Sequence, residues 1–74
     1  MSREMYNEKK KFVGGPLLRC LSFAHPELSD LIYQLGDDLE ETVIIRFLDG
    51  YIRRVCVSGD SLHAIITDVN RALE

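Results

Sequence analysis

The sequence lacks the features by which most small proteins declare their chemistry. No stretch reaches the roughly 18 consecutive apolar residues that a membrane-spanning helix requires, and no strongly basic amphipathic helix is present to lie on a bilayer. The N-terminal MSREMYNEKKK is polar and has no apolar core of the kind a signal peptide carries. These absences place the chain in the cytoplasm, without a membrane partner. There are only two cysteines, Cys20 and Cys56, each inside an apolar run (LLRCLSF and RRVCVS). In a reducing compartment such residues are expected as small buried hydrophobes rather than as a disulfide. No internal repeat and no low-complexity segment stands out.

Motifs for bound groups are equally scarce. Cys20, His25, Cys56 and His63 are the soft metal ligands on offer, but neither a C-x2-C nor an H-x3-H pair occurs, so no metal site is expected. Gly14-Gly15-Pro16 is not followed by the Lys-Ser/Thr of a phosphate-binding loop. Ser58, Ser61 and Cys56 have no recognised nucleophile signature around them, and the nearest base, His63, sits in the same segment. Consecutive carboxylates such as Asp37 and Asp38, or Glu40 and Glu41, fall on a loop with nothing to bury them and raise a pKa. A chain this small also has little room for a substrate pocket of about 300 Å³ or more. The reading is therefore that the chain is not an enzyme and takes no cofactor and no small-molecule substrate.

What is present is a high apolar content. Of 74 residues, 46% are hydrophobic, more than a domain this small hides easily, since at about this length folding buries only about 60% of the surface. Small domains make up such a deficit with disulfides, metals or association. With the first two unsupported, association with another chain is the natural destination of the surplus.

The most legible stretch is 42–73. Val43, Ile45 and Phe47, then Tyr51, Val55 and Val57, alternate with the period of half-buried strands around Asp49-Gly50, a hairpin signal. A two-residue turn would pair Leu48 with Tyr51. A three-residue loop with Gly50 in the left-handed conformation pairs Phe47 with Tyr51, and collects Val43, Ile45, Phe47, Tyr51, Val55 and Val57 on one face, broken only by Arg53. The second register is preferred because it separates the faces better. Its other face carries Ile44, Arg46, Ile52, Arg54 and Cys56, only half polar, as for a surface meant to be partly covered. Leu62, Ile65, Ile66, Val69 and Leu73 then form a helical apolar stripe, with Asp60 or Ser58 as N-cap and Arg71 favoured in the last turn.

The first half is less decisive. Residues 1–11 read as a flexible polar arm, ahead of a domain spanning 12–74. Gly14-Gly15-Pro16 reads as a breaker, and 17–23 as a strand covered on both sides or at an edge, with a short helix as the competing reading. Pro26 and Glu27 open an expected helix with the stripe Leu28, Leu31, Ile32 and Leu35, ended by Gly36. The expected fold is a small α+β domain in β-α-β-β-α order: a three-stranded sheet with two helices packed on one face. A right-handed parallel crossover would join the first two strands if they are neighbours.

Charge then narrows the function. The formal net charge is −3 and the pI about 5.3, which argues against nucleic acid. Two opposite patches lie beneath that total: acidic Asp37, Asp38, Glu40 and Glu41, and basic Arg46, Arg53 and Arg54. The expected function is a small acidic, non-catalytic protein-interaction module, homodimeric, and a modulator or inhibitor of another protein of the kind phages and mobile elements encode. Ile44, Arg46, Ile52 and Arg54 are its candidate interface, and the acidic residues its steering patch. The alternative is a small RNA- or DNA-binding domain using Arg46, Arg53 and Arg54 with the nearby Phe47 and Tyr51.

Overall fold

The computed structural model describes residues 3–36, 40–57 and 61–74. The chain runs as helix α1 (Arg3–Phe12), a π-helical turn (Val13–Leu17), helix α2 (Leu18–Ala24), strands β1 (Leu28–Leu35), β2 (Glu41–Phe47) and β3 (Ile52–Cys56), and helix α3 (Leu62–Leu73). It is an α+β domain with a three-stranded, wholly antiparallel sheet in the order β1-β2-β3.

The order of elements corrects the expectation at three places. From Arg3 on, the expected polar arm is helix α1, and the helical run continues to Ala24. The expected strand at 17–23 is therefore helical, as the competing reading had it. Pro16 does not break the run. A proline donates no hydrogen bond and its ring crowds the preceding turn of an α-helix, and the wider π turn accommodates both deficits. Lys9, Val13, Leu17 and Leu21 are the buried residues of the run, each four apart. In a pure α-helix that spacing drifts by about 40° per step, and the wider turn offsets the drift midway. The break comes instead at Pro26. It disfavours a helical conformation at His25, which takes φ −131° and ψ 81° and ends α2.

The helix expected over 26–35 is strand β1, and the reason lies in a bulge. Leu28 pairs with Phe47 but Asp30 with Arg46, so Ser29 is an extra residue. The insertion turns both Leu28 and Leu31 inward although they are three apart, which imitates helical spacing. Beyond it the strand alternates normally, with Leu31 and Tyr33 buried and Ile32 on the other face. No crossover is needed. The sheet is a meander, and the expected parallel pairing does not occur.

The hairpin follows the preferred register. Val43 opposes Val55 and Ile45 opposes Arg53, and the Phe47 amide donates to the Tyr51 carbonyl at 2.9 Å. Gly50 supplies the left-handed residue at φ 92°, which a side chain would strain, and Asp49 Oδ1 accepts from the Tyr51 amide at 2.9 Å. The stripe of α3 buries Ile65 and Val69, with Leu62, Ile66 and Leu73 packed beside them. Asp60 and Ser58 lie outside the described residues; the N-cap is Ser61, whose Oγ accepts from the Ala64 amide at 3.2 Å.

One hydrophobic cluster joins these elements. Val13, Leu17 and Leu21 meet Leu31, Tyr33, Val43, Ile45 and Val57, and Ile65 and Val69 complete it. At about 1.5–3 kcal/mol for each fully buried large aliphatic or aromatic side chain, this cluster is the main favourable term in folding.

Candidate protein interface

Strand alternation sorts the sheet into two faces. Leu31, Tyr33, Val43, Ile45 and Val55 share the inner face with the core cluster. The outer face is laid out in three cross-strand rows: Asp30, Arg46 and Ile52; then Ile32, Ile44 and Arg54; then Gln34, Thr42 and Cys56. All four interface candidates, Ile44, Arg46, Ile52 and Arg54, thus come together on adjacent strands. Ile52 is 51% exposed, Arg46 and Arg54 are exposed, and Ile44 is half-buried between its neighbours. Arg46 and Arg54 take part in no ion pair among the described residues. Isoleucines flanked by unpaired guanidiniums make a surface that is neither a core face nor an ordinary solvated one.

The hairpin end adds to it. Leu48 is 71% exposed and Tyr51 is also open to solvent, and the Phe47 and Tyr51 rings pack at 5.7 Å between centroids. An open hollow of about 420 Å³, mostly apolar, is lined by Glu27, Phe47, Leu48, Asp49, Tyr51 and Arg53. It is larger than a chain of this length leads one to expect. Elsewhere Phe23, near the end of α2, is 89% exposed.

The acidic patch divides. Asp37 and Asp38 lie outside the described residues. Glu40 is exposed and accepts a hydrogen bond from the Cys56 thiol at 3.3 Å. That bond, with the Glu40 charge behind it, raises the thiol pKa. Glu41 does not belong to a solvent-facing patch at all: its parity with Val43 and Ile45 turns it inward, where it is 8% exposed. There Lys9 Nζ donates to Glu41 Oε1 at 2.7 Å, and the Tyr33 hydroxyl donates to the same oxygen. Burial alone would raise the Glu41 carboxyl, but the hydrogen bonds from Lys9 and Tyr33 and the Lys9 charge together hold it below the usual value. Burial and the neighbouring carboxylate push the Tyr33 phenol well above its ordinary range.

This buried triad was legible only in part. Lys9 falls within the stretch expected as a polar arm, yet it stands four residues before Val13 at the start of the buried helix stripe. An acid on the inner parity of a strand needs a cation, and Lys9 supplies it.

The remaining candidates are scattered. Cys20 and Cys56 are both exposed free thiols, not the buried hydrophobes expected, because Cys20 falls off the helix stripe and Cys56 on the outer face. His25 Nδ1 lies 3.4 Å from Glu27, and His63 is exposed. Among the described residues no group of three or more His, Cys, Asp or Glu is placed to hold a metal, and no helix is long and apolar enough to cross a membrane. Arg53 is on the inner side and donates to the Ala72 carbonyl at the end of α3, where a cation complements the helix dipole. Phe47 and Tyr51 therefore share a face with an arginine already committed to that carbonyl, and stand opposite the two that are not.

No family model matches the chain, and no curated protein and no solved structure matches it.

Proposed function

We propose that this protein is a non-catalytic protein-interaction module whose working surface is the outer face of the sheet, and that a second copy covers that face in a homodimer. The observation that carries the reading is the cluster of Ile44, Arg46, Ile52 and Arg54 on neighbouring strands, beside half-buried Ile32 on β1. The helical run 3–24 and helix α3 both contribute to the core cluster that includes the inner-face residues, which favours their packing on that face and leaving the other uncovered.

The chemistry of the rows supports a self-complementary contact. Asp30 and Arg46 stand in one row, and Glu40 lies two residues before Thr42 on the same parity. A two-fold axis can therefore set acids of one copy near arginines of the other while the isoleucines meet. A standard interface takes about 800 Å² from each partner, about one-sixth of the 5022 Å² surface. The outer face with the hairpin tip is the part of the surface from which such an area can be drawn with an apolar centre. As such a module it modulates or inhibits the protein it engages.

A nucleic-acid role gains no comparable support. The stacking rings and the uncommitted guanidiniums lie on opposite faces of the hairpin, whereas single-stranded binding needs them together.

The test is the Ile52→Glu variant, examined by light scattering for mass and by far-UV circular dichroism for fold. The wild type should be a dimer, and the variant a monomer with an unchanged spectrum. A variant that associates as the wild type does would remove Ile52 from the interface.

A further inference from the structure

The two edges of the sheet are not equivalent. In an antiparallel ladder, alternate residues turn their N–H and C=O groups toward the neighbour or away from it. The Phe47 amide bonds to the Tyr51 carbonyl, and the Val57 amide to the Glu41 carbonyl, so Tyr51, Arg53, Val55 and Val57 face β2. Ile52, Arg54 and Cys56 then direct their backbone groups to the open side. On β1 the same alternation turns Leu31, Tyr33 and Leu35 outward. That edge is guarded: Asp30 Oδ1 accepts from the Leu31 amide at 2.8 Å, and Gly14 of the helical run lies so close that a Cβ there would stand 3.7 Å from the Leu31 carbonyl oxygen. On β3, Ile52, Arg53 and Arg54 are all exposed, and no backbone partner meets the outward groups among the described residues.

An edge of this kind is a template for another strand, and its side chains say which. A second copy centred on the arginines fits badly: a two-fold axis on Arg54 sets two Arg54 side chains face to face, and one on Arg53 does the same for that residue, and like charges directly opposed are destabilising. Axes on Ile52 or Val55 avoid that clash but leave the arginines without acids opposite them. An acidic strand fits well, because Arg53 and Arg54 are adjacent and so present one cation to each face of the extended sheet.

From this asymmetry we infer that the open edge of β3 binds an extended acidic segment of another protein as a fourth strand. Antiparallel to β3, one acid of the segment opposes the uncommitted Arg54 on the outer face, the next opposes Arg53, whose guanidinium keeps further donors beside the one given to the Ala72 carbonyl, and an apolar residue opposes Ile52. The inference rests on the interaction-module reading but not on the dimer, since a contact across the outer face leaves the edge groups free.

Fluorescence anisotropy with a labelled acetyl-TVEEIT-amide peptide tests it. Three comparisons accompany that probe: TVKKIT, TVEEIT N-methylated at the residues opposite Ile52 and Arg54, and a single-stranded oligonucleotide. The acidic peptide should bind about tenfold or more tighter than the lysine peptide, because like-charge juxtaposition is penalised, and Arg54→Glu should reverse the order. N-methylation should abolish binding by removing the ladder donors. Three results would overturn the inference: no binding of the acidic peptide, equal binding of its N-methylated form (contact by charge alone), or an oligonucleotide bound as tightly. Light scattering on the same samples reads the dimer separately. Peptide bound by a monomer keeps the edge site and removes the dimer, and a dimer that ignores the peptide does the reverse.

Discussion

At the scale of single residues, the Lys9–Glu41–Tyr33 triad decides how the first helix attaches to the sheet. One carboxylate oxygen accepts from both an ammonium and a phenol, and all three groups are buried. Removing one member of a buried pair strands the other, so Lys9→Ala should cost about 3–5 kcal/mol by urea denaturation. Lys9→Met with Glu41→Leu should cost far less, because an apolar replacement of the whole pair is often near neutral. The pH dependence follows from the depressed Glu41 pKa. Its stabilisation is fully present above the unfolded-state value of 4.5 and is lost as the pH falls through the lower folded value. Acid should therefore destabilise the wild type across that window more than it destabilises Glu41→Gln. The raised Tyr33 phenol acts at the other end: its proton is held more tightly in the folded state, so stability should fall as pH rises above the ordinary value of 10.0. Tyr33→Phe should remove that alkaline slope.

At the scale of elements, local signals were reliable wherever they agreed with the longer pattern, and misled wherever a single irregular residue shifted the period. The hairpin and α3 were legible because turn chemistry, alternation and the apolar stripe pointed the same way. Gly50 fixes the register through its positive φ. The first half was not legible for two reasons. Pro16 is absorbed by a π turn that no spacing rule announces, while Pro26 acts backwards on His25 rather than opening a helix. The bulge at Ser29 then gives β1 an apolar spacing of three. Glycine substitutions separate the two roles of that residue. Gly50→Ala should destabilise by about 1–2 kcal/mol, since it forces a side chain into the left-handed region. At Gly14 a Cβ meets only the Leu31 carbonyl oxygen, at an ordinary 3.7 Å, so Gly14→Ala should stabilise by up to about 1 kcal/mol, the intrinsic helical advantage of alanine. Thermal melts of the two variants should move in opposite directions.

At the scale of the whole molecule, the question is where the apolar surplus goes. The inner core takes most of it, and the remainder surfaces at Met5, Phe23, Leu48, Tyr51 and Ile52, three of them at or beside the hairpin turn. The grouping of Ile44, Arg46, Ile52 and Arg54 could be read from alternation alone, once the register was chosen. The fate of Glu41 could not, because its neighbours on the loop are acidic and its strand parity had to outweigh that context. Rows of isoleucine and arginine on one side, a buried triad tying the helical run to the other, and an open edge between them are the features on which the proposed contact role rests.

Light scattering behind size exclusion, in reductant and over a wide range of protein concentration, bears most directly on that claim. The wild type should run as a dimer whose dissociation on dilution is sharply promoted by Ile52→Glu, with helicity intact. A wild-type protein that stays monomeric at every concentration would contradict the homodimer.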